Sequence, residues 1–268
     1  MLANRLQPLA DLPAQRLLAL RGVLTDIDDT LTRDGAIETA ALDALRHLAA
    51  AGVPVIAITG RPAGWSEPFA TAWPVQAIVA ENGGVMLRAR AGGLQREFAQ
   101  DEATRTRNLA RLQACARDLL KRVPGAQLAA DSAGRLTDIA VDHSEHARLD
   151  AARIAEVAAL MRAHGLVATV SSIHVNGWIG THTKWSGAQW AVQRCTGAPL
   201  LPDDWLYVGD STNDEAMFER IALSVGVANI AAFVPRMSVL PAFVTRAERG
   251  AGFAEVARAL LAARAARR

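Results

Sequence analysis

Lysine is almost missing from this chain: Lys121 and Lys184 are the only two, and arginine supplies the remaining positive charge. Where composition so favours arginine, a surviving lysine points to a place that needs a compact ammonium rather than a planar fork. Cysteine is equally scarce. Cys115 and Cys195 lie far apart with no CxxC or Cys/His spacing, which argues against a disulfide framework and a zinc site and leaves two reduced, buried thiols. No apolar run reaches membrane-spanning length, and the opening MLANRLQPLADLPAQRLLAL has neither the uninterrupted apolar stretch nor the small-residue cleavage site of a signal peptide. A cytoplasmic protein with no membrane partner is expected. The net charge is only +2, and the clearest basic cluster, RALLAARAARR, reads as the solvated end of an alanine-rich helix, so nucleic acid is not an expected partner. Solenoid repeats and low-complexity tracts are also missing.

What is present is a core-forming composition. With 51% apolar against 21% charged residues over 268 positions, the chain can bury one large core and carry a second module. GVLTDI (22–27), VPVIAI (53–58) and VQAIVA (75–80) read as strands, with a helix over 39–51 striped by Leu42, Leu45 and Leu48. DWLYV (204–208), LSVGVA (223–228) and AFVT (242–245) resume the pattern, with helical segments near 184–195, 213–222 and 252–266. Nearly continuous apolar strands alternating with helices predict a parallel sheet covered on both faces. Between 85 and 181 the texture changes. GVMLRARAGGLQREFA predicts a hairpin turning at Gly92–Gly93, followed by a helix whose face is formed by Leu109, Leu112, Ala116 and Leu119 or Leu120. A second hairpin turning at Asp131–Gly134, a helix striped by Ile154, Val157, Ala158 and Met161, and the strands LVATVSS and IHVNGWIG complete it. The expected fold class is α/β: a Rossmann-like parallel-sheet core, residues 1–84 and 182–268, with an inserted α+β cap domain, residues 85–181.

Ligands of open parallel sheets bind beyond the carboxyl ends of the strands. The polar clusters fall there: Asp26, Asp28 and Thr30; Thr59, Gly60 and Arg61; Glu81 and Asn82; and Asp210 to Asp214. Two carboxylates about 4 Å apart repel by about 4 kcal/mol at an effective dielectric near 20, so a crevice holding Asp26, Asp28, Asp210 and Asp214 requires cations. Mg²⁺ suits it, since that ion binds through one or two carboxylates and keeps coordination free for a phosphate. Lys184 offers a second positive charge, and Thr59 and Asn213 offer hydrogen bonds to phosphate oxygens. These are the parts that phosphoryl transfer needs, with a carboxylate available as nucleophile.

In order along the chain, DIDDT, ITGR, Lys184 and GDSTND resemble the four motifs of the haloacid dehalogenase-like superfamily of aspartate-nucleophile phosphatases. The insertion, in αββαββ order between the second and third motifs, is similar to the type IIB caps of the Cof-like and sugar-phosphatase branch, and ENGG at 81–84 resembles the segment that closes the core before such a cap. The resemblance implies a phosphomonoester hydrolase in which Asp26 is the nucleophile and Asp28 the acid/base. It implies that Asp26, the Asp28 backbone carbonyl and Asp210 hold Mg²⁺, and that Thr59, Gly60, Lys184 and Asn213 bind the phosphoryl group. Asp214 and Thr30 support the site, and Asp29 has no chemical role. The substrate it implies is a small phosphorylated metabolite, with a sugar phosphate foremost. A phosphosugar mutase and a phospho-acceptor signalling module without turnover are the alternatives.

Outside the motifs the residue types leave choices open. Arg61 either binds substrate or pairs with Glu81. Asn82, His174 and Asn176 are candidate substrate contacts, while Asp138, Ser171 and Ser172 read first as ordinary sheet positions. Trp65 and Trp178 offer flat faces for a sugar ring, although packing is the commoner fate of tryptophan. His143 and His146 follow a predicted strand and do not make a metal pair. The oligomeric state is not legible.

Overall fold

The computed structural model describes residues 6–266. The first five residues of the opening segment and Arg267 and Arg268 of the basic cluster lie outside them. A nine-stranded sheet runs in the order Gln7–Pro8, Phe243–Val244, Leu223–Gly226, Trp205–Gly209, Gly22–Thr25, Val55–Ile58, Ala77–Ala80, Val85–Arg90, Gly93–Phe98. The first seven are parallel and the last two antiparallel.

Successive residues of the central strands serve opposite faces, which is why those strands read as unbroken apolar runs. Val23, Val55, Ile78 and Leu206 pack against the helices Thr39–Ala50, Ala63–Ala72 and Arg249–Ala265. Leu24, Ile56, Val79 and Tyr207 pack against Lys184–Thr196 and Glu215–Arg220. From Gly22–Thr25 the chain winds outward in one direction, and from Trp205–Gly209 in the other. The carboxyl ends of these two neighbouring strands therefore border the switch-point crevice where such sheets bind ligands.

The Val85–Phe98 hairpin corrects the sequence reading, which grouped it with the inserted module. Ile78 pairs with Leu87 and Ala80 with Val85, so the hairpin extends the large sheet. Alternation marks a hairpin but does not say which sheet it joins; burial of Val85, Met86 and Leu87 decides it here. The second sheet is antiparallel, in the order Val167–Val170, His174–Trp178, Asp138–Asp142, Gln127–Leu128. Helices Glu102–Arg122 and Ala151–Ala163 cover one face of it. Asp101 and Asp150 cap them, accepting from Thr104 N and Arg153 N at 2.8 Å each. On the first helix Leu112, Cys115, Ala116 and Leu119 face inward, whereas Leu109 and Leu120 are exposed, which narrows the expected stripe. Among the described residues no helix is long and apolar enough to cross a membrane.

Candidate active site

The loop after Gly22–Thr25 carries Asp26 and Asp28, and the turn after Trp205–Gly209 carries Asp210 and Asp214. Asp26 N donates to Val208 O at 2.9 Å, continuing the ladder past the strand end and aligning the two loops. Lys184 begins the helix capped by Thr183, and its buried ammonium donates to Asp26 Oδ1 at 2.8 Å and Asp214 Oδ1 at 2.7 Å. Asp214 also accepts from the Tyr207 hydroxyl and, through Oδ2, from the backbone N–H groups of Asp210 and Ser211 at 2.9 and 3.2 Å. With both oxygens occupied, it is a strut for Lys184 and the turn. Asp210 is held loosely, by Asn229 Nδ2 at 3.3 Å and Thr30 Oγ1 at 3.5 Å.

Carboxylate oxygens of Asp26, Asp210 and Asp214 lie within 4.8 Å of one another. Burial, with Asp214 and Asp28 adding repulsion, pushes the Asp26 carboxyl up to about 8 against the pull of Lys184. Burial, Asp214 and Asp26 push Asp210 well above the usual carboxylate range. One ammonium does not neutralise this cluster, and an oxygen-seeking cation fits it: Asp26 and Asp210 have lone pairs to spare, while Asp214 does not.

Thr59 Oγ1 accepts from Arg61 N at 3.0 Å and lies 3.4 Å from Asp28 Oδ2. The carbonyl of Gly60 accepts from Arg135 Nη1 at 3.0 Å and Asn176 Nδ2 at 3.1 Å, both from the inserted module. Asn82, at φ 53°, holds a buried amide close behind Gly60. Asn213 is half-buried, and its Oδ1 accepts from Ser211 Oγ at 3.0 Å. Asp29 pairs with Arg249 at 2.8 Å, and both residues line the cavity between core and insertion.

Of its two expected roles, Arg61 does not take the pairing with Glu81. It pairs with Asp28, Asp131 and Glu145, and the Glu81 carboxylate instead accepts from Ala63 N, Leu136 N and both the N–H and hydroxyl of Thr137. His174 is buried against Glu145 at 3.0 Å, and Asn176 against Gly60 and Asp138. Trp178 is buried and donates to His182 O, so it offers no face to a ring, while half-buried Trp65 packs on Phe69 with the Arg61 guanidinium over its ring. A cavity of about 400 Å³ opens between core and insertion, with Asp28, Arg61, Glu145, Arg148, Ser172 and Arg249 on its walls. Asp131, Glu145, Arg148 and Arg249 escaped the sequence analysis because no local pattern distinguishes them from surface charges.

The family model of the haloacid dehalogenase-like hydrolases matches residues 23–115, which contain Asp26, Asp28 and Thr59. Over that stretch the chain is similar to the haloacid dehalogenase-like hydrolases. A phosphoglycolate phosphatase of Methanoculleus marisnigri is 27% identical over 215 residues, covering 78% of this chain and 85% of that protein. Among solved structures, a Thermoplasma acidophilum protein superposes with a TM-score of 0.69 at 19% identity, over 90% of this chain and 98% of its own. The sucrose-phosphatase of Synechocystis, solved with sucrose and phosphate, gives 0.64 at 14% identity over the same shares. The fold shared with these structures thus extends through the inserted αββαββ module.

Proposed function

We propose that this protein is a phosphatase that cleaves the phosphomonoester of a small metabolite through an aspartyl-phosphate intermediate, with Mg²⁺ as its metal and the inserted module as a cap over the substrate. The observation that carries the reading is the Asp26 carboxylate, delivered by a buried strand and hydrogen-bonded to a buried lysine at 2.8 Å, with Asp28 two residues on.

In this reading an oxygen of Asp26 attacks phosphorus, and the ester oxygen departs with a proton from Asp28. Asp28 then takes a proton from the water that attacks the aspartyl phosphate, which releases inorganic phosphate and restores both carboxylates. Lys184, Thr59 and Asn213 receive the phosphoryl oxygens as charge moves onto them. Mg²⁺ held by Asp26, Asp210 and the Asp28 carbonyl would neutralise the carboxylates and balance the phosphoryl charge when bound.

A sugar phosphate is the substrate class that the sequence puts first. Arg148 on the cavity wall and the burial of Trp178 support a phosphorylated acid of the kind named for the Methanoculleus relative, while Arg249 is already paired with Asp29. Phosphate release from p-nitrophenyl phosphate and from a panel of phosphorylated acids and sugars, with and without Mg²⁺, tests the reading. Turnover that needs Mg²⁺ and vanishes in Asp26→Asn is expected. A long-lived phosphoprotein without turnover would establish the signalling alternative, and an isomeric sugar phosphate in place of free phosphate the mutase.

A further inference from the structure

Glu145 reaches the site from the insertion yet touches none of the groups assigned to phosphoryl transfer. It touches Arg61, and Arg61 touches one of them. The Arg61 guanidinium is 4% exposed. Its Nε donates to Asp28 Oδ1 at 2.9 Å; Nη1 donates to Asp131 Oδ2 and Glu145 Oε2 at 3.1 Å each; Nη2 donates to Glu145 Oε1 at 2.7 Å. One group therefore ties the loop that carries Asp28 to two loops of the insertion.

The two-point contact with Glu145 has the geometry that fixes the plane of a guanidinium, and that plane sets the direction in which Nε points. Glu145 is itself fixed, by His174 Nε2 at 3.0 Å. The hydrogen bond from His174, followed by Arg61, holds the Glu145 carboxyl down at about 2, so it stays charged throughout the working range. Among the described residues the Asp28 carboxylate has one other side-chain hydrogen bond, from Thr59 Oγ1 at 3.4 Å, too long to orient it alone. With its donors turned to three carboxylates, Arg61 acts as a strut rather than as a ligand of substrate.

We propose that Glu145 is a positioning residue for proton transfer: acting through Arg61, it sets the rotation of the Asp28 carboxyl, so that the general acid is assembled only when the cap lies against the core. The proposal rests on the reading of Asp28 as the acid/base. Its signature is a dependence on the leaving group, since an alkoxide needs a proton to depart and p-nitrophenolate does not.

The test compares kcat/KM for ethyl phosphate and p-nitrophenyl phosphate in wild type, Glu145→Gln and Glu145→Ala, with thermal unfolding to verify that each variant is folded. Both substitutions are expected to lower kcat/KM for ethyl phosphate by about tenfold or more, the scale of a displaced general acid, and that for p-nitrophenyl phosphate by about twofold at most. The loss should sit in kcat rather than KM. Equal losses on the two esters, a loss carried by KM alone, or no loss in either variant would overturn the proposal. If Glu145→Ala does not fold, the near-isosteric Glu145→Gln carries the same comparison. A wild-type protein inactive on both esters would instead remove the phosphatase reading, and the proposal with it.

Discussion

At the scale of single residues the site is built on tension between like charges. Asp210 is buried beside Asp214 and Asp26 with only weak hydrogen bonds of its own. Replacing it by asparagine removes a charge that burial disfavours, so Asp210→Asn is expected to stabilise the metal-free protein by about 1–2 kcal/mol while abolishing turnover. Thermal unfolding with and without Mg²⁺ checks this: wild type should melt higher with the ion, and the variant should not respond. Lys184 behaves in the opposite way. Lys184→Ala leaves two buried carboxylates unpaired and should cost about 3–5 kcal/mol, read by urea unfolding without metal. These residues were legible because their neighbours in sequence carry the signal: an apolar strand, then acids at fixed spacing. The Arg61–Glu145 pair was not legible, because its members are 84 positions apart and only packing of the insertion on the core brings them together.

At the scale of elements, precision comes from backbones that approach closely. The Lys184–Thr196 helix lies so near the Glu81–Gly83 turn that a Cβ on Gly187 would sit 2.8 Å from Gly83 Cα and from Val79 Cγ1. Gly187→Val must therefore push the helix, and Lys184 with it, away from Asp26. A stability loss of about 1–3 kcal/mol is expected, with a larger proportional loss of kcat, measured by unfolding and steady-state kinetics on the same preparation. Strand and helix positions were readable from periodicity alone, which marks what is buried but not against what. The turn of the Val85–Phe98 hairpin was placed one residue late, Gly93 being already paired with Arg90, and its sheet was assigned wrongly for that reason, and choosing between Leu119 and Leu120 needed the partner helix.

At the scale of the molecule, core and insertion meet through buried polar groups, and that junction responds to pH. Burial, opposed by Arg135 and reinforced by Glu81, pushes the Asp138 carboxyl up to about 7. The folded protein thus keeps a proton that the unfolded chain, with an ordinary aspartate near 4, has already released. Stability from this group is present below about pH 4 and is lost as pH rises through 7. Urea unfolding at pH 5.5 and 8, chosen as round values on either side of about 7, should show a smaller decrease in Asp138→Asn than in wild type. The cavity of about 400 Å³ holds a metabolite but not a folded chain, so phosphoproteins should release no phosphate under conditions that hydrolyse small esters. The burial of Lys184 also has a practical use. Amine-acylating dyes cannot reach an ammonium enclosed by two carboxylates, so Lys121, exposed on the Glu102–Arg122 helix, is the only lysine side chain they would label. A fluorophore can thus be placed on the insertion without mutagenesis, and the rate at which Lys184 slowly becomes reactive would time the opening of the site.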